Sequence, residues 1–247
     1  MTNVKLIIQF DGTDFCGWQV QKEVRTAQGV LGAALQKMTG CRVTLHSSSR
    51  TDSGVHALAM PVSFRIGKSL PMRAFERGLN TLLPPDIRVI SASRADPSFN
   101  ARFSAGSKTY RYRVLNHHAA LPLQRRTAWH VPSRLDIDAM RDAAGFLWGE
   151  HDFTAFRSVH CDALSPVRTI DRLSIEREGD NIILIEVEAM GFLRNMVRII
   201  VGTLVQVGLG RHQPAWVDEV LKSRDRTAGG PTAPPQGLFL VGVEYRD

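Results

Sequence analysis

Leu173-Ser174-Ile175-Glu176-Arg177, Glu178-Gly179-Asp180-Asn181 and Ile182-Ile183-Leu184-Ile185 follow one another without a break, and this stretch decides the fold class. The first part alternates apolar and polar residues, and the third is rich in β-branched residues. Gly179 and Asp180 between them suit a tight turn, so the stretch predicts an antiparallel hairpin. Working outward, strand signals lie over residues 4–10, 42–46, 57–66, 87–92, 108–115, 172–177, 181–189 and 238–245. Helix signals lie between them. Thr26 suits the cap of a helix that places Val30, Leu31, Ala34, Leu35 and Met38 on one face, with Gly40 as its stop. Pro71 opens a helix carrying Phe75 and Leu79. Asp136 caps one that turns Ile137, Met140, Ala144 and Leu147 inward. A longer helix is expected over residues 193–207, and Pro214 opens a last one that runs through Leu221.

Hairpins without a one-for-one alternation of strands and helices predict an α+β fold with mostly antiparallel sheet, not a doubly wound parallel one. The order of elements in the first part recurs after a long loop, although no sequence repeat accompanies it. A boundary falls near residues 103–106, giving an N-terminal α+β domain over 1–104 and a C-terminal one over 105–247. Two long loops, over residues 117–132 and 224–237, exceed what simple connection needs.

Composition narrows the function classes. Of the 247 residues, 43% are apolar and 22% charged, as in an ordinary globular protein. No run of eighteen apolar residues predicts a membrane span, and the start alternates like a strand, unlike a signal peptide. Cys16, Cys41 and Cys161 are odd in number and form no C-x-x-C. Neither a disulfide framework nor a zinc cage is expected, and a cytoplasmic location fits. The spacing of His56, His117, His118 and His151 matches no metal template. No glycine-rich nucleotide loop follows a strand. The formal charge of +7 favours a polyanionic partner.

The most chemically loaded stretch is Ser47-Ser48-Ser49-Arg50-Thr51-Asp52-Ser53-Gly54-Val55-His56-Ala57. Gly54 permits a sharp turn that projects the Asp52 carboxylate. Arg50, two residues away, favours its ionised form, which is the form a nucleophile needs. On these residues alone, two readings stand side by side: a reactive carboxylate, and a turn whose aspartate bonds its own loop. Asp-Ser-Gly also resembles an aspartic-protease triplet, but no second triplet is present to share a proton.

The stretch from Ser49 to Ala57 closely resembles the signature loop of the A-type tRNA pseudouridine synthases. So does the opening Phe10-Asp11-Gly12-Thr13-Asp14-Phe15-Cys16-Gly17-Trp18-Gln19. Phe99-Asn100-Ala101-Arg102-Phe103-Ser104-Ala105, Lys108-Thr109-Tyr110-Arg111-Tyr112 and His151-Asp152-Phe153-Thr154-Ala155-Phe156 fit the same family. Pro166-Val167-Arg168-Thr169-Ile170, Gly191-Phe192-Leu193-Arg194-Asn195-Met196-Val197-Arg198 and Ala233-Pro234-Pro235-Gln236-Gly237-Leu238 complete the match. Asn100 stands where the family usually has His, and Ser49 and Ser53 where Gly and Ala are common.

The resemblance implies two similar subdomains flanking a central basic cleft, on which Asp52, Tyr110 and Arg198 converge. It implies isomerisation of uridine to pseudouridine at positions 38, 39 and 40 of the tRNA anticodon stem-loop, by a homodimer that needs no cofactor. Asp52 matches the catalytic aspartate, with attack at C1′, glycal formation and attack at C6 all open as routes. Tyr110 matches the active-site tyrosine, able to stack on the extruded uracil, while Tyr112 suits the core. Arg198 matches the basic residue that pairs with the aspartate. Arg194, four residues earlier, is expected on the same side of a helix. Arg50 is the second candidate partner, with a role in opening the stem and holding the flipped position. Arg102, Lys108, Arg125 and Arg126 are candidate phosphate contacts, and His56 is expected either to orient the loop or to be structural. The alternative is a catalytically silent tRNA-binding protein of the same fold.

Overall fold

The computed structural model describes residues 1–245. The chain divides into two compact units, one made of Met1–Gly106 together with the segment from Phe239 on, the other of Ser107–Leu238.

The first unit opens with β1, Thr2–Phe10, and then α1, Ala27–Thr39. A two-residue strand β2, His46–Ser47, and a long strand β3, His56–Ile66, follow. A π-helical turn, Ala74–Gly78, runs into the short α2, Leu79–Leu82, and β4 spans Ile87–Arg94. Strand β1 lies between β3 and β4 and is antiparallel to both. Period-two alternation buries Val4, Leu6 and Ile8 of β1. Met60, Val62 and Phe64 of β3 are buried too, with the Phe64 ring edge-on to Phe75 at 5.6 Å. Helix α1 starts where the sequence predicts. The Thr26 hydroxyl accepts from the Gly29 amide at 3.3 Å, a cap worth about 1 kcal/mol. Gly40 ends the helix in the left-handed conformation.

The second unit contains β5, Ala105–Asn116, from Ser107 on, then β6, Trp129–Val131, and α3, Ile137–Gly145. Strand β7, Gly149–Asp152, β8, Val167–Glu178, and β9, Ile182–Ala189, complete its sheet. Helices α4, Met196–Gly208, and α5, Trp216–Ser223, follow, and β10, Leu238–Tyr245, ends the described chain. The sheet order is β5-β9-β8-β7, antiparallel throughout, with β6 added parallel to β5. The hairpin expected at residues 173–185 is β8 and β9, with Ile175 opposite Ile185 and Gly179 at φ 62°. Asp136 caps α3, its carboxylate accepting from the Ala139 amide at 3.0 Å. Helix α4 buries Ile199, Ile200, Leu204 and Val205 and packs against α3.

The fold is α+β with largely antiparallel sheet. Four details differ from the sequence reading. Residues 42–45 form no strand, and only His46–Ser47 pairs, with Val62 and Ser63 of β3. The fourth helix begins at Met196 rather than 193, because Asn195 takes a left-handed φ of 63°. Arg194 therefore precedes the helix and does not share a side of it with Arg198. Short strands β6 and β7 carry no alternation long enough to read. Finally, the segment from Phe239 on groups with the first unit instead of the second. Phe239 and Leu240 pair in parallel with His56 and Ala57 of β3, which draws the end of the chain back to its beginning.

Candidate active site

The loop from Ser49 to Val55 enters β3 of the first unit. Its backbone is clamped by the opening segment of residues 10–19. The Trp18 amide donates to the Thr51 carbonyl at 3.1 Å, and the Gly54 amide donates to the Phe15 carbonyl at 3.3 Å. The Val55 amide donates to the Asp52 carbonyl at 3.2 Å and closes a turn around Ser53 and Gly54. Gly54 has a φ of 78°, the left-handed region that glycine reaches without a steric cost. Gly12 admits no side chain, since a Cβ there would lie 2.0 Å from the Val55 carbonyl oxygen. The hydroxyls contribute less than their number suggests. Those of Ser49 and Thr51 are buried with no hydrogen-bond partner among the described residues, while that of Ser53 donates to the Phe15 carbonyl at 3.3 Å and adds to the main-chain bonds.

Asp52 is half-buried at this turn. Arg50 is exposed. His56 is buried directly after the loop. Its Nδ1 accepts from the Gly12 amide at 3.0 Å, and its ring stacks on Phe239 at 4.6 Å. Asp11 Oδ1 lies 3.1 Å from the same nitrogen. The imidazole thus joins the opening segment to the last strand, directly after the loop.

In the second unit, Tyr110 projects from β5 opposite Val187 and is 8% exposed, with Phe192 edge-on at 5.2 Å. Tyr112, two residues on, is fully buried, and its hydroxyl donates to the Pro234 carbonyl at 2.6 Å. Arg198 lies in the first turn of α4. Its Nε donates to the Ala233 carbonyl at 2.7 Å and its Nη1 to Asn195 Oδ1 at 3.0 Å. The Ala233 amide donates back to the Arg198 carbonyl at 3.0 Å. The guanidinium is therefore held in one orientation by the loop that begins after α5 and by the residue that starts its own helix.

The sequence profile described as tRNA pseudouridine synthase matches residues 6–104 and 143–246. The chain belongs to the tRNA pseudouridine synthase family.

Relatives named tRNA pseudouridine synthase A extend the match over the whole chain. That of Geotalea uraniireducens (strain Rf4) is 51% identical over 99% of this chain and 100% of its own. That of Myxococcus xanthus is 46% identical over 100% of this chain and 93% of its own. Among solved structures, an H/ACA ribonucleoprotein bound to a substrate RNA aligns at 12% identity and a TM-score of 0.39. That alignment covers 82% of this chain and 44% of the other. Membership of the synthase family makes this chain an isomerase, and the comparisons lend no support to a catalytically silent protein.

Against the family's expected residues, the structure puts Asp52 and Arg50 in the first unit and Tyr110 and Arg198 in the second. Arg102, Arg125 and Arg126 are exposed and Lys108 is half-buried. Arg194 is exposed, and its Nη1 donates to the His160 carbonyl at 3.1 Å. Among the described residues no group of three His, Cys, Asp or Glu could hold a metal, and no helix is long and apolar enough to cross a membrane.

Two contributions escape a reading of residues. The opening segment matches the family, yet nothing in its composition says that it clamps the Asp52 loop. The spacing of Gly12 from Trp18 is the only trace. Asn100, which departs from the family's usual His, accepts from the Arg102 amide at 2.9 Å and the Phe103 amide at 3.4 Å. The Asn100 side chain thus shapes that turn.

Proposed function

We propose that this chain isomerises uridine to pseudouridine in tRNA, at positions 38, 39 and 40 of the anticodon stem-loop, with Asp52 as the nucleophile. The reading is supported by the relatives' shared name and by one observation above all. Asp52 sits half-buried on a turn whose backbone a second segment holds in place, which restrains where its carboxylate can go.

In the net reaction the N1–C1′ bond breaks, the base turns, and a C5–C1′ bond forms. The C5 proton leaves to solvent and N1 regains one, so no electrons or other atoms are exchanged. Asp52 supplies the anion for the glycosidic step. Arg198, held by Ala233 and Asn195, supplies the cation that keeps it ionised. Tyr110 receives the face of the detached uracil, with its hydroxyl as a proton carrier. Arg50 contacts the stem beside the flipped nucleotide, and Arg102, Lys108, Arg125 and Arg126 meet phosphates. A-form stem is read by shape and backbone, and an excess of seven positive charges suits that task. The enzyme works in the cytoplasm as a homodimer, one tRNA crossing both subunits, without a cofactor.

The test uses tRNA with tritium at uridine C5. Wild-type protein is expected to release tritium, and Asp52→Ala and Asp52→Asn to lose at least about 10³-fold in rate while still binding tRNA. Release at the wild-type rate by either variant would remove Asp52 from the chemistry. Sedimentation of the free protein tests the dimer.

A further inference from the structure

The first unit carries a concave site whose lining holds none of the residues assigned to the reaction. A cavity of about 750 Å³ is lined by Arg42, His46 and Arg65 from and around β2 and β3, and by the 98–104 segment. Its volume falls within the range of about 300–1,000 Å³ typical of small-ligand sites. Its lining contains no Asp or Glu and nothing from the Ser49–Val55 loop. Arg42 and Arg65 are both exposed, and Arg65 Nη2 donates to the Pro97 carbonyl at 2.6 Å. An acid-free concavity with two guanidinium groups and an imidazole selects for an anion.

An aromatic ring stands at the same site. Phe103 is 75% exposed and belongs to the lining. A single exposed Phe is ordinary on a protein surface, but this one stands on a turn closed by its own hydrogen bonds. The Ser104 amide donates to the Asn100 carbonyl at 2.9 Å, the Asn100 amide donates to Ser104 Oγ at 3.1 Å, and Asn100 Oδ1 receives the Phe103 amide. The Arg102 guanidinium lies 5.1 Å from the ring centre. An exposed ring beside cations is the chemistry that holds a nucleotide, by stacking on the base and pairing with the phosphate.

We infer that this cavity is a second nucleotide site, which takes an unpaired base and its phosphate from the bound RNA, away from the uridine being isomerised. The inference rests on the tRNA reading for its ligand, but not on Asp52.

Equilibrium binding of unmodified tRNA to the full chain, measured across a salt series, tests it. Arg42→Ala with Arg65→Ala is expected to reduce the slope of log K against log salt by about one, for the single phosphate the site holds. Phe103→Ala is expected to weaken binding about tenfold at fixed salt, and Phe103→Trp to restore it. Unchanged slope in the double variant, or unchanged affinity in Phe103→Ala, would overturn the site. So would a change in sedimentation with Phe103→Ala at unaltered RNA affinity, because the ring would then serve a protein contact. Tritium release by the wild-type chain is scored in parallel. Its failure would sink the isomerase reading and leave the binding result to judge the cavity.

Discussion

Tyr112 carries a phenol into fully buried surroundings of the second unit, where its hydroxyl donates to the Pro234 carbonyl. Burial pushes its pKa well above the usual tyrosine value, and the nearby charge of Arg198 opposes only part of that shift. The sign of the consequence follows by linkage. A group whose folded pKa exceeds its unfolded one contributes in full below the unfolded value, about 10 for tyrosine, and its contribution is lost as pH rises beyond that. The thermal midpoint should therefore fall above about pH 10. Tyr112→Phe should melt lower at neutral pH, by about 1 kcal/mol for the lost hydrogen bond, and should show a shallower alkaline fall. Tyr245, raised by burial as well, keeps its share of that fall. Melting curves from pH 8 to 11 decide the matter, and parallel curves for the two proteins would refute the assignment. The same residue bears on the site, because Pro234 follows Ala233, whose carbonyl fixes Arg198.

At the scale of elements, what was legible in the sequence is what short-range rules determine. Thr26 and Gly40 bracket α1, Asp136 caps α3, and Gly179 turns the β8–β9 hairpin, each through bonds to residues a few positions away. What was not legible depends on distant partners. Residues 42–45 alternate like a strand but find no partner there, and β7 exists only because β8 offers Val167–Ile170 as an edge. The Asp52 loop announced its carboxylate, Gly54 and Arg50. It could not announce that residues 10–19 would clamp it, since those bonds span more than thirty positions. Asn195 shows how the two kinds of information meet. Its left-handed φ sets where α4 begins, and its side chain holds Arg198 Nη1. Two substitutions separate these roles. Asn195→Gly keeps the backbone conformation and should cost little stability, while loosening Arg198 and lowering the rate of tritium release about tenfold. Asn195→Ala should show the same loss of rate and, in addition, about 1 kcal/mol less stability, because alanine resists the left-handed region. Rate and melting are measured on both. Equal melting of the two variants would mean that the helix start does not depend on that φ.

The whole molecule is a chain whose end completes its beginning. The first unit takes its strands from residues 2–94 and then, more than 140 residues later, from the segment that starts at Phe239. That late strand lies parallel to β3 at His56 and Ala57, immediately after the Asp52 loop, and the Phe239 ring stacks on His56. Contacts so remote in sequence carry a loop-closure cost, so the arrangement is maintained only if the contact repays the lost chain entropy. Phe239 is the residue best placed to do so, being buried and in ring contact with the imidazole that accepts from Gly12. Phe239→Ala should therefore destabilise the protein by about 3–5 kcal/mol, a large part of the stability of an ordinary domain. Phe239→Leu, which keeps an apolar side chain but loses the stacked ring, should cost about 1 kcal/mol. Because His56 lies between the strand and the Asp52 loop, tritium release should fall in the leucine variant while tRNA binding holds. Denaturant melts give the stabilities, and single-turnover release gives the rate. A leucine variant with the wild-type rate would show that the ring steadies the unit without steadying the loop. An alanine variant with wild-type stability would show that the last strand is a passenger on β3, not the piece that closes the unit.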